Sequence, residues 1–203
     1  MRPFESLVVG EWAAEGPRPH VLILPHTTGY EEFWTAHQPV LEPYEKCVVA
    51  MPFQWTHVTV EAVRHQVSDA TMDDFAVALA DEMKQVDPFE LQLGPTWTGR
   101  SGITVAVYPE GEITSVYDQT RAAMGRVPGV QIAPRPERFW PHSSLGYCIK
   151  PFDSSGLNAC LYRDLRPPRV DMIVDRVHLV QQWQRPDLGY YTWQVHAEIP
   201  LGR

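Results

Sequence analysis

The spacing of apolar positions changes several times along the chain, and each change marks an element. Residues 20–24 form a short continuous apolar run (His20-Val21-Leu22-Ile23-Leu24), which predicts a buried strand. Thr28-Gly29-Tyr30-Glu31 has the form of a capping box and opens a short predicted helix through about His37, ended by Pro39. Residues 47–50 predict another short strand. Between Asp69 and Val86, the apolar residues Met72, Phe75, Leu79, Met83 and Val86 recur at three- and four-residue steps. This is one stripe of a helix, stopped by Pro88. Phe89 to Leu93 alternates as a strand does and gives way to a Gly/Pro/Thr loop. Residues 102–108 then place Ile103, Val105 and Val107 on one strand face. Residues 112–124 repeat the helical logic, with Ile113, Val116, Tyr117, Thr120 and Met124 on one side. Asp153 or Ser154 can cap a further helix carrying Leu157, Cys160, Leu161 and Leu165, stopped by Pro167-Pro168. Residues 177–183 and 191–199 predict a terminal hairpin around Pro186-Asp187-Leu188-Gly189. Its second strand sets Tyr191, Trp193, Val195, Ala197 and Ile199 on one face.

Two stretches stand out from this background. Trp55-Thr56-His57-Val58-Thr59-Val60 and Trp140-Pro141-His142-Ser143-Ser144-Leu145 both read Trp-x-His-x-(Ser/Thr)-aliphatic. In an extended backbone, side chains alternate between faces. Trp55, His57 and Thr59 then share one face, with Val58 and Val60 behind. Trp140, His142 and Ser144 share the equivalent face, with Leu145 behind. The order strand, helix, motif strand, helix, strand occurs before about residue 95 and again after it. We therefore expect a single domain over residues 1–203 with a duplicated α+β architecture. It is bilobal, with pseudo-two-fold antiparallel sheets and flanking helices around one central cleft. No glycine-rich phosphate loop follows a strand, which disfavours a parallel nucleotide-binding sheet.

Composition narrows the function. The 203 residues carry a net charge of −8. A protein that grips long nucleic acid generally presents a basic surface, so a small anionic substrate, not a long duplex, is expected. No apolar run approaches the length that spans a bilayer. Cys47, Cys148 and Cys160 are odd in number and widely spaced, as in reduced core residues of a cytoplasmic protein. No carboxylate accompanies the histidines at metal-ligand spacing, so neither metal nor other cofactor is expected, and nothing in the chain calls for more than a monomer.

Two imidazoles on opposite sides of a phosphodiester form an acid–base pair. One activates the attacking oxygen and the other protonates the leaving oxygen. A hydroxyl two residues along the same face steadies the non-bridging oxygens without competing for protons. His57-Val58-Thr59-Val60 and His142-Ser143-Ser144-Leu145 resemble the paired H-x-(S/T)-hydrophobic motifs of the 2H phosphoesterase superfamily, which includes RNA 2′,3′-cyclic phosphodiesterases and the 2′-5′ RNA ligases. The resemblance implies His57 and His142 as the catalytic pair and Thr59 and Ser144 as phosphate-binding groups. It implies a bilobal pseudo-symmetric fold with the cleft between two small sheets. It also implies a metal-independent phosphodiesterase acting on a 2′,3′-cyclic phosphate, or a related 2′-5′ ester, of a nucleotide or RNA terminus. Ser144 departs from the commoner threonine; it keeps the hydroxyl and loses the methyl that restricts its rotamer.

Competing readings attach to several residues. His26-Thr27-Thr28 also fits H-x-(S/T), but it lies at a helix start, where a threonine serves as a cap. Trp55 and Trp140 are candidate base-stacking groups or simple packing residues, and Arg138 is a candidate phosphate contact or a solvated loop residue. At the level of the whole protein, the alternatives are a non-catalytic module that binds nucleotides or RNA ends, and 2′-5′ ligation in the reverse direction.

Overall fold

A computed structural model describes residues 1–4 and 12–202. Nine strands are described: β1 (Arg18–Ile23), β2 (Val48–Ala50), β3 (Val58–Ala62), β4 (Phe89–Thr98), β5 (Gly102–Tyr108), β6 (His142–Cys148), β7 (Val170–Val174), β8 (Arg176–Arg185) and β9 (Tyr190–Pro200). Five helices accompany them: α1 (Trp12–Glu15), α2 (Thr28–Leu41), α3 (Asp69–Met83), α4 (Glu110–Arg126) and α5 (Ser155–Ala159). The strands run antiparallel in the order β7-β4-β5-β6-β3-β1-β8-β9, with β2 also on β6. The fold is α+β, a curled antiparallel half-barrel flanked by helices.

The duplication is visible in this order. The sheet consists of two four-stranded halves, β7-β4-β5-β6 and β3-β1-β8-β9, meeting where β3 touches β6. Their contact is a single register pair, Val58 opposite Ser143. The halves exchange helices. α2 follows β1 in one half but packs on β2 and β7 of the other, while α4 follows β5 and crosses to β3. Because each half is covered partly by the other's helix, the interface between them is part of the core.

Local chemistry accounts for the helices. Thr27 caps α2 by accepting from the Tyr30 amide at 3.2 Å, and Ser68 caps α3 by accepting from Thr71 at the same distance. The α3 stripe of Met72, Phe75, Leu79 and Met83 is buried, as is the α4 stripe of Ile113, Val116, Tyr117, Thr120 and Met124. α3 and α4 pack on each other, and α3 also covers β9. An ion pair of 2.5 Å between Arg121 of α4 and the half-buried Glu61 secures β3 from behind.

Several boundaries differ from the sequence expectation. α2 runs past Pro39 to Leu41, because the proline removes only one backbone hydrogen bond and the extension buries Leu41. β4 continues through the expected loop to Thr98, with its register shifted between Leu93 and Thr96. Gly94 in that break has φ of +113°, a conformation that favours glycine. The helix after β6 is α-helical only over α5 and continues as a π-helical turn, Cys160–Leu165, ended by the left-handed Arg166. A register shift between Leu179 and Val180 interrupts the expected single face of β9, so Trp193 packs with Leu22 and Val180 while Ile199, beyond the shift, joins the main core. No described helix is long and apolar enough to cross a membrane.

Candidate active site

The position of β3 beside β6 decides the geometry of the cleft. From the pair Val58–Ser143, one step in opposite directions sets His57 across from Ser144, and the step the other way sets Thr59 across from His142. Each motif's imidazole therefore lies opposite the other motif's hydroxyl. All four side chains line one cavity of about 400 Å³. The intervening residues turn back as alternation requires: Val58, Val60 and Leu145 are core, and Ser143 accepts from the Tyr30 hydroxyl of α2 at 3.0 Å.

Both rings are oriented alike. His57 Nδ1–H donates to the Trp55 carbonyl at 2.8 Å, and His142 Nδ1–H donates to the Trp140 carbonyl at 3.1 Å. A carbonyl can only accept, so each neutral ring keeps its proton on Nδ1 and carries its lone pair on Nε2. The Gln182 side-chain N–H lies 3.4 Å from His57 Nε2 and is placed to donate to it.

Their surroundings differ. His57 is 6% exposed and meets the edges of Trp193 and Tyr191. Burial pushes its pKa down to about 4, against the pull of the Trp55 carbonyl, and the nearby His142 adds to the lowering. His142 is exposed at the rim and lies under the Trp140 indole, with centroids 4.7 Å apart and planes 22° apart. Its pKa is also lowered, chiefly by lost hydration. On the same wall, burial raises the Tyr147 phenol to about 12, with the Ser144 side chain offsetting part of the rise.

The other sequence candidates separate. Trp140 lines the cavity and is 46% exposed. Trp55 is not among the lining residues. It sits in a 3-10 turn, Phe53–Trp55, and not in the extended backbone expected of it, so it leaves the motif face and packs edge-on to Trp193 at 4.9 Å. What it gives the site is its carbonyl. Arg138 also stands outside the lining, because Glu110 holds its guanidinium by both carboxylate oxygens at 2.8 Å. His26 hydrogen-bonds the Thr56 carbonyl at 3.1 Å, and Thr27 is a helix cap.

The cleft also contains residues that no motif marks: Trp12, His20, Arg100, Gln182 and Tyr191. Gln182 and Tyr191 belong to the terminal hairpin, and only the sheet order brings that hairpin beside β1. His20 reads in sequence as the first residue of an apolar strand. Arg100, in the tight turn between β4 and β5, is the one Lys or Arg among the described lining residues, and no Asp or Glu is among them. Among the described residues, no group of three or more His, Cys, Asp or Glu is placed to hold a metal ion.

Residues 29–185 match the family model of the 2′-5′ RNA ligase superfamily, well over half of the chain. The chain belongs to that superfamily. Solved structures agree on the fold. TT0787 of Thermus thermophilus superposes with a TM-score of 0.66 at 16% identity, covering 91% of this chain and 97% of that one. Apo LigT of E. coli gives 0.60 at 15% identity, covering 93% and 99%. The MHV ns2 PDE domain gives 0.54 at 11% identity, covering 81% and 98%. LigT has also been solved in complex with ATP, NADP+, phosphate and 3′-AMP. No curated protein sequence matches the chain. As a superfamily member, the chain places its two H-x-(S/T) stretches on the neighbouring strands at the centre of the sheet.

Proposed function

We propose that this protein is a phosphodiesterase that opens a 2′,3′-cyclic phosphate, or cleaves a related 2′-5′ ester, on a nucleotide or RNA end by acid–base catalysis between His57 and His142. The observation that carries the reading is that both imidazoles and both hydroxyl residues of the crossed pair line one cavity, with each Nδ1 locked on the carbonyl two residues before it. In this reading Thr59 and Ser144 hold the non-bridging oxygens of the phosphate.

The inequality of the rings divides the work. His57, held neutral by burial, acts as base, its Nε2 taking a proton from water as that oxygen attacks phosphorus. His142, exposed and faced by an indole that favours a cation, carries the proton and delivers it to the departing ribose oxygen. The described lining offers no carboxylate or thiolate to a metal, which favours a reaction run by the side chains alone. That LigT binds phosphate and 3′-AMP supports a small nucleotide as ligand. The acidic balance of the chain, −8 overall, speaks against long RNA as the main partner and so against ligation of large RNAs.

The test is hydrolysis of 2′,3′-cyclic nucleotides and 2′-5′-linked dinucleotides by the purified protein with a chelator present. We expect conversion of at least one to a nucleoside monophosphate or its dinucleotide cleavage products. Tight binding of nucleoside monophosphates with no turnover of any member would select a binding module instead.

A further inference from the structure

A third imidazole lies in the cleft, prepared like the other two. His20 Nδ1–H donates to the Arg18 carbonyl at 3.0 Å, again the carbonyl two residues back, so Nε2 is left as an acceptor. The ring is 6% exposed and lines the cavity. Burial pushes its pKa down to about 4, so it is uncharged at neutral pH. It lacks what the catalytic strands have, because the residue two along is Leu22 and not a hydroxyl. Acid–base work on a phosphate is therefore not its role.

Beside it stands Trp12, 7% exposed, whose ring stacks on His20 with centroids 5.2 Å apart and planes only 9° apart. Tyr191 lies on the indole as well, at 5.3 Å. Trp12 lines the same cavity, and its Nε1–H is buried with no hydrogen-bond partner among the described residues. A buried donor left unpaired is unfavourable, so it is a group for a ligand to complete. The pair thus offers one donor and one acceptor and no charge, on the β1 side of the cleft. The cation, Arg100, belongs to the other half, in the turn between β4 and β5.

We propose that Trp12 and His20 form a nucleoside-recognition subsite, in which the indole N–H donates to an acceptor on the ligand and the imidazole Nε2 accepts from a neighbouring donor. A nucleobase edge or the ribose hydroxyls supply that chemistry; a second phosphate does not. The inference rests on the phosphodiesterase reading for the identity of the ligand, and it adds the part of the substrate away from the phosphorus. A cavity of about 400 Å³ has room for a nucleotide-sized ligand.

The experiment is calorimetric titration of the whole protein with the four nucleoside 2′-monophosphates, ribose 2-phosphate and inorganic phosphate. The variants are Trp12→Phe, which keeps the ring stack and removes only the N–H, and His20→Phe, which keeps a ring and removes the acceptor. We expect the wild type to favour at least one nucleoside monophosphate over inorganic phosphate by tenfold or more. Each variant should lose about tenfold on that ligand and nothing on inorganic phosphate. Loss that depends on the base assigns the subsite to the nucleobase; equal loss on ribose 2-phosphate assigns it to the sugar. Unchanged affinities in both variants, or an equal loss on inorganic phosphate, would overturn the proposal. Since binding is read without turnover, a wild type that hydrolyses nothing would contradict the phosphodiesterase reading and leave this result to stand on its own.

Discussion

The two motif strands share a hydrogen-bond plan and differ in what surrounds it. On β6 the ring of His142 stands at the cleft rim against an exposed indole. At the start of β3 the ring of His57 is enclosed by Trp193, Tyr191 and Gln182, all from the terminal hairpin. A two-fold arrangement therefore fixes the tautomers, while the hairpin, which lies on one half alone, breaks the equivalence of the rings. The reaction proposed here needs both features: matched geometry to reach one phosphate, and unequal proton affinity to tell acid from base.

The largest difference between the halves should appear on truncation. His57→Ala and His142→Ala are each expected to lower kcat for a 2′,3′-cyclic nucleotide by roughly 10²- to 10⁴-fold. Only His57→Ala should also destabilise the fold, by about 2–3 kcal/mol, because it opens a buried hole and unpairs the Trp55 carbonyl. Denaturant unfolding of the two variants checks this. Equal stability losses would mean that the rings are not differently embedded.

Acid should destabilise the protein through the buried rings. His57 and His20 are both held down to about 4 in the fold, below their unfolded value of 6.5. Protons therefore bind the unfolded chain more readily. Stability is full above about 6.5 and falls as pH drops toward 4, by up to about 3 kcal/mol for each histidine. Urea midpoints measured from pH 7.5 to pH 4 should show this loss, and Trp12→Phe should retain it. A flat profile would place both rings in water.

The tryptophans separate in the same way with a smaller effect. Trp140→Ala should lower kcat/KM about fivefold at nearly unchanged stability, because it removes the exposed indole that faces the protonated His142. Trp55→Ala should lower stability, since that indole packs on Trp193 outside the cavity. The reverse outcome in kinetics and thermal unfolding would exchange their roles. Smallest of all is Gly102→Ala. An added Cβ would sit 3.4 Å from Ser144 Oγ and 3.2 Å from the Gly146 carbonyl. We expect a few-fold rise in KM from a displaced Ser144, with no comparable change from Gly111→Ala, where the added carbon meets nothing within 4 Å.

These contrasts also mark where the sequence was readable. Alternation around His57 and His142 announced which side chains face a cleft, and the stripes of α3 and α4 announced what lies behind them, because period alone carries that information. Trp55 misled because its turn closes through the Trp55 and Thr56 amides on the Pro52 and Phe53 carbonyls, a local choice that alternation does not record. Gln182, Tyr191, His20 and Trp12 gave no signal, since their meeting depends on β8 lying beside β1, a strand from the far end of the sequence. The bulge that splits β9 was equally hidden, being set by packing on its partner strand.

The most direct test of the unequal pair is the pH dependence of kcat/KM for the wild-type protein on a 2′,3′-cyclic nucleotide. A neutral His57 acting with a protonated His142 predicts a bell that rises through about 4, where His57 loses its proton. It falls at a value below 6.5, where His142 loses its own. A profile that is flat from pH 4 to 8, or that has one limb only, would contradict an acid and a base working together across this cleft.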